Sequence, residues 1–121
     1  REGAKWSNGD PVVAAHFVAG VERLVNPATA AFYSDFLSDV PSIEAPDDST
    51  LLFTLTRPTP YQLSLLTHPA TFQIHTPSVN EHGAGFARPG KFVYKCAYRL
   101  DAWDPGSVVS LRRNEENWNN A

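Results

Sequence analysis

The chain has 121 residues, 42% of them hydrophobic and 19% charged, with a formal net charge of −3, enough for one domain with a core of moderate size. That charge, with nothing more basic than the pair Arg112-Arg113, speaks against a nucleic-acid partner. No apolar run approaches the roughly 20 residues needed to cross a bilayer, and the single cysteine, Cys96, excludes an internal disulfide.

Residues 1–12 contain no apolar core of a signal peptide. Arg1 is not a natural translation start, so an excised or processed piece is expected. A short strand ends at Trp6, and Asn8-Gly9 forms a tight turn because both residues tolerate positive φ. Pro11 suits the first turn of a helix. Val13, Phe17, Val21 and Leu24, with Val18 and Val25 beside them, recur at helical spacing. His16, Glu22 and Arg23 fall on the polar side. Gly20 weakens such a helix by roughly 1 kcal/mol relative to Ala, which points to close packing there. Asn26-Pro27 ends it.

A second helical segment is expected from Ala28 to about Leu37, with Phe32, Phe36 and Leu37 on one face and Tyr33 beside them. Asp39–Ser49 reads as loop, with a short strand at Ser42–Ala45 and a turn at Asp47-Asp48-Ser49. Thr50–Thr56 alternates as a strand, with Leu51, Phe53 and Leu55 on one side. Pro60 introduces a short helix, Tyr61–Thr67, buried through Leu63, Leu66 and Leu65, and His68-Pro69 stops it. Thr71–His75 reads as a strand with Phe72 and Ile74 inward, and Thr76–Gly90 as surface loop. Phe92–Trp103 and Ser107–Arg113 form a hairpin about Asp104-Pro105-Gly106, whose proline and glycine suit a type II turn. Trp118 is an aromatic anchor among polar residues. Interleaved helices and strands give a mixed α+β class.

Candidate chemistry is sparse. His16, His68, His75 and His82 show neither i, i+4 pairing nor a carboxylate at motif spacing, so solvated or core-edge positions are expected and no metal site. There is no G-x-S-x-G nucleophile motif. Asp47-Asp48 reads as a turn, because an acid–base pair must face a cleft from separate backbones. Gly83-Ala84-Gly85 lacks the helix and lysine of a phosphate loop. Cys96 is expected to be a buried small hydrophobe. The large rings Trp6, Phe32, Tyr33, Tyr61, Trp103 and Trp118 suit recognition surfaces. Tyr33 is the one expected to leave the core.

Five blocks in order carry a resemblance: Ala4-Lys5-Trp6-Ser7-Asn8-Gly9-Asp10-Pro11-Val12; Arg23 to Ala30; Asp47-Asp48-Ser49-Thr50-Leu51 with Thr54-Leu55; Pro58-Thr59-Pro60-Tyr61 with Leu65 and His68-Pro69; and Tyr98-Arg99-Leu100, Trp103 and Arg113-Asn114 through Trp118. Together they resemble the bacterial extracellular solute-binding proteins of family 5, the oligopeptide- and dipeptide-binding components of ABC importers. The resemblance implies a segment of the N-terminal lobe of a two-lobed, type II-like periplasmic binding protein. Residues 1–75 would then lie in its accessory subdomain, and 76–121 would be a loop and return strands towards the ligand-binding domain. It further implies a non-catalytic, extracytoplasmic protein without cofactor or metal, whose partners are a peptide or other small solute and the membrane permease subunits. Tyr33 matches the family's peptide-contacting aromatic. The alternative is a structural or protein-interaction domain of the same fold, and an exposed sheet edge could pair with another copy.

Three positions depart from the family's pattern. Val13 and His16 replace a capping box, so the helix start is expected to rely on Asp10 or solvent. The connection after Leu37 is short. Tyr94-Lys95-Cys96 stands where the family has a glycine-containing turn, so either the local backbone differs or this region no longer shapes a ligand site.

Overall fold

The computed structural model describes residues 3–117 and 119; Trp118 lies outside them. Contacts divide the chain into two compact units. One is Val13–Ile74, and the other comprises the described residues before Val13 and from His75 onward.

The unit Val13–Ile74 is built on helix α1, Ala14–Val25. Its inward stripe meets the loop that follows: Val21, Leu24 and Leu37 form a buried cluster, with Ala31, Val40, Ile43, Leu66 and Ala70 packed against it. The stripe is rotated from the expected one. Ala14 and His16 are buried beside Val21 and Leu24 while Val25 is exposed, and the helix begins at Ala14 rather than at Pro11. Two amides at its start have partners the sequence did not suggest. The Val13 N–H donates to His16 Nδ1 at 3.2 Å, and the Ala14 N–H donates to the Asp48 carbonyl at 2.8 Å. Valine has no acceptor to return the first bond, so His16 supplies half of a capping box. That use turns His16 from the expected polar side into the interior.

After α1 the expected second helix is two 3-10 turns, Pro27–Thr29 and Ser34–Leu37. Ala30 separates them in a left-handed conformation (φ 49°, ψ 42°), which no α-helix continues through. Strands β1 (Ser42–Asp47) and β2 (Thr50–Thr54) form an antiparallel hairpin with Ile43 opposite Phe53. The register shifts between Glu44 and Asp47, where Pro46 has no N–H to give the ladder. Asp47 closes the turn by accepting from the Ser49 N–H at 2.8 Å. Helix α2, Gln62–Leu65, buries Gln62 and exposes Leu63 (79%), while Leu66 packs against the core as expected. Both polar atoms of the Gln62 amide are buried without a hydrogen-bond partner. The expected strand at 71–75 is absent. A 3-10 turn at Pro69–Thr71, in which Thr71 is buried, leads instead into an extended segment that exposes Phe72 and buries Gln73.

Gly20 explains how that segment lies on α1. A Cβ built at Gly20 would stand 2.7 Å from the Phe72 carbonyl oxygen, and nearby the Ile74 N–H donates to the His16 carbonyl at 3.2 Å. Two backbones touch there, with no room for a side chain.

In the other unit, the expected first strand is one bridge between Lys5 and Pro11, with Gly9 at φ +90° in the turn. Pro11 thus belongs to an extended pairing. Thr76–His82, expected as loop, is helix α3, with Pro77 in its first turn. Strands β3 (Tyr98–Asp104) and β4 (Val108–Arg113) pair antiparallel across the expected turn. There the Ser107 N–H reaches the Asp104 carbonyl at 3.0 Å and Gly106 takes φ +83°.

Overpacking against the Phe72 carbonyl should cost Gly20→Ala about 3 kcal/mol, less the roughly 1 kcal/mol gained in helix propensity, a net loss of about 2 kcal/mol in urea melts. A wild-type midpoint would contradict the close approach. The Asp47 carboxyl is held below its usual 3.8, first by the Ser49 N–H and then by the Thr50 and Ser49 side chains. A depressed folded value means the contribution is present above the unfolded pKa and is lost as pH falls through the folded one. Asp47→Asn should therefore flatten the acid limb of a stability–pH curve, and an unaltered limb would refute that role.

Candidate functional site

Tyr33 precedes the second 3-10 turn, so its side chain leaves the segment just before Phe36 and Leu37 turn inward. The residue is 44% exposed. Its ring lies 5.0 Å from that of Phe36 and 4.6 Å from that of His68, and Phe36 and His68 are 5.0 Å apart. Phe32 continues the patch, 6.3 Å from Tyr33 and 97% exposed. Three stretches of sequence meet here: the loop after α1, the turn at Ser34–Leu37, and His68 before Pro69. Such a cluster presents aromatic faces with one phenol hydroxyl, suited to stacking on an extended chain or an apolar side chain. Sequence reasoning singled out Tyr33 and gave His68 no part in the site, placing it as a helix stop and as a solvated or core-edge histidine.

The described residues before Val13 and from His75 onward hold a second polar arrangement that the sequence did not reveal. His75 is buried. Its Nε2 lies 2.9 Å from Asp10 Oδ2 and its Nδ1 2.8 Å from Ser78 Oγ. The Ser78 N–H also donates to Nδ1, at 3.3 Å. Nδ1 therefore carries no proton in the neutral ring, and the Nε2–H donates to Asp10. Asp–His–Ser in a row resembles a nucleophilic relay, yet Ser78 is buried on the helical turn that His75 caps. The arrangement fastens the start of α3 to the turn at Asn8–Asp10. Trp6, 2% exposed, packs edge-on against the His75 ring at 5.4 Å. The one available signal was the spacing His75-Thr76-Pro77-Ser78, an acceptor three residues before the amide it caps.

The remaining candidates separate. His82 pairs loosely with Glu81 at 3.8 Å. Among the described residues no three histidine, cysteine or acidic side chains converge as metal ligands. Cys96 is exposed, contrary to the expected burial, and it lies just before β3 in a segment held through its backbone carbonyls. Asn114 Nδ2 donates to the Cys96 carbonyl at 2.8 Å and Asn117 Nδ2 to the Lys95 carbonyl at 3.0 Å. The Ser7 N–H donates to the Tyr94 carbonyl at 2.7 Å. None of Tyr94, Lys95 and Cys96 has a positive φ, so the backbone adapts where the family pattern carries glycine. Burial lowers the Lys95 ammonium and raises the Tyr94 phenol.

Comparison with known proteins places these features in context. The family model described as bacterial extracellular solute-binding proteins, family 5 Middle, matches residues 1–121. The periplasmic oligopeptide-binding protein OppA of Escherichia coli K12 is 34% identical over 139 residues, covering 100% of this chain and 25% of its own length. The dipeptide-binding protein DppE of Bacillus subtilis is 30% identical over 98% of this chain and 24% of its own. The crystal structure of Haemophilus influenzae OppA in complex with RPPGFSPFR superposes with a TM-score of 0.94 at 35% identity, covering 98% of this chain and 26% of that one. The chain thus spans about a quarter of the length of these relatives.

Removing the acceptor of the buried His75 N–H should cost about 1–3 kcal/mol. Asp10→Ala is expected to lose that much stability in urea, and Asp10→Asn, which keeps an acceptor oxygen, clearly less. Equal losses in the two variants would show that the His75 bond is not what Asp10 contributes.

Proposed function

The chain belongs to the bacterial extracellular solute-binding proteins of family 5, and from that membership we propose that it is part of a peptide-binding receptor serving an ABC importer outside the cytoplasmic membrane. The observation that carries the reading is the aromatic cluster in which exposed Tyr33 rests on half-buried Phe36 and His68, set in a fold that superposes on a peptide-bound relative. Tyr33 is the ligand-contacting residue. Its ring offers an apolar face to a peptide's side chains or backbone, and its hydroxyl a polar tip. The role is binding and release to permease subunits, with no bond made or broken. No cofactor enters it.

Within the parent protein, the unit Val13–Ile74 is the accessory subdomain of the N-terminal lobe. The described residues before Val13 and from His75 onward belong with the main ligand-binding domain. The bound solute is a peptide or another small molecule of that size, and much of its pocket comes from the other lobe. A structural or interaction domain of the same fold is the second reading, drawn from the unusual segment 94–96. That segment is hydrogen-bonded to Ser7, Asn114 and Asn117 without a left-handed residue, and peptide binding is what separates the two readings.

Calorimetry on the complete gene product tests the proposal, with RPPGFSPFR and a pool of shorter peptides as probes. Saturable binding is expected, weakened about tenfold by Tyr33→Ala, or about 1.4 kcal/mol. Absence of heat across the whole pool would favour the interaction-domain reading.

A further inference from the structure

We infer that His68 is a positioning residue for Tyr33: its imidazole, locked by a backbone hydrogen bond, forms the wall against which the Tyr33 ring is oriented towards ligand. The inference rests on the reading of Tyr33 as a ligand contact.

The lock is visible in the atoms. His68 Nδ1 accepts from the Ala70 N–H at 3.2 Å, which caps the 3-10 turn at Pro69–Thr71 and fixes the ring plane. The backbone on either side is held as well. The His68 N–H donates to the Leu65 carbonyl at 3.1 Å, and the His68 carbonyl accepts from the Thr71 N–H at 3.0 Å and from Thr71 Oγ1 at 2.8 Å. Pro69 restricts His68 to an extended conformation, observed at φ −75°, ψ 138°. A ring held this way loses little further entropy when another ring packs on it. It meets Tyr33 at 4.6 Å and a 58° tilt, and Phe36 nearly edge-on at 74°. Tyr33 is therefore braced by its own segment through Phe36 and by a distant one through His68.

The capping bond alone does not require histidine. Asn26-Pro27-Ala28-Thr29 repeats the pattern of His68-Pro69-Ala70-Thr71, and there Asn26 Oδ1 accepts from the Ala28 N–H at 2.9 Å. Asparagine makes the same cap; what histidine adds at position 68 is the ring.

That comparison supplies the test. In His68→Asn the cap and the melting temperature should be retained, while the fluorine resonance of 3-fluorotyrosine placed at position 33 moves towards that of the free amino acid. His68→Phe should keep the resonance near its wild-type position and lower the melting temperature. In the complete gene product, with RPPGFSPFR as probe, His68→Asn should weaken binding about fivefold. The same change in a Tyr33→Ala background should have no further effect. An unmoved fluorine resonance in His68→Asn would overturn the positioning role. An undiminished loss in the Tyr33→Ala background would also overturn it, assigning His68 a direct ligand contact. Wild-type affinity in Tyr33→Ala alone would instead sink the ligand reading on which the inference rests.

Discussion

The arrangement around Tyr33 depends on one close approach, the backbone of α1 at Gly20 against the carbonyl of Phe72. With any larger residue at position 20, the segment 72–74 would have to move off the helix. The bond from the Ile74 N–H to the His16 carbonyl would lengthen with it. That segment is the exit of the turn at Pro69–Thr71, and the entry of the same turn is His68. The glycine thus fixes, through a few covalent links, where an imidazole ring stands relative to the loop after α1. The roughly 1 kcal/mol of helix propensity that Gly20 forgoes is the cost of placing a ring some fifty positions along the chain.

A second device recurs in both units. A side chain with an acceptor atom, followed at one or two residues by proline, caps a short helical turn: Asn26 before Pro27, His68 before Pro69, and His75 before Pro77. Proline removes an N–H that would be unpaired in the first turn anyway, and the capping atom satisfies one of those that remain. The two histidines do more than the asparagine. An imidazole that accepts at Nδ1 still has a second nitrogen and two faces. His75 uses them on Asp10 and Trp6, and His68 on Tyr33 and Phe36. Both rings are oriented by the backbone they cap.

Much of this was legible in the sequence, and what was not has common physical causes. The helix through Val21 and Leu24, the hairpin about Asp104-Pro105-Gly106 and the tight packing at Gly20 followed from periodicity and from turn chemistry, which are local. The start of α1, the breaking of 28–37 into two turns and the helix at Thr76–His82 did not follow. Each is decided by a non-local partner or by a side chain used against its usual preference. His16 is buried because it bonds the Val13 N–H; α3 starts where His75 can cap it and still reach Asp10. Of the candidate site, Tyr33 was found because an aromatic residue beside a buried face has to emerge somewhere. His68 was missed because His-Pro reads first as a helix stop, and its second use appears only when residues 33 and 68 come together.

The segment Tyr94–Cys96 shows how such a scaffold absorbs a change of turn chemistry. A glycine turn relieves backbone strain through positive φ, but the same displacement can be shared among ordinary conformations if the freed carbonyls find donors. Here the Tyr94 carbonyl takes the Ser7 N–H, the Lys95 carbonyl the Asn117 amide and the Cys96 carbonyl the Asn114 amide. Two of the three donors are side chains from beyond β4, so this stretch depends on residues about twenty positions downstream. An amide donor is weaker security than glycine against substitution, since loss of Asn114 or Asn117 would leave a part-buried carbonyl unpaired. The two asparagines therefore hold the segment that departs from the family pattern, and one of them, Asn114, is itself among the residues that carry the family resemblance.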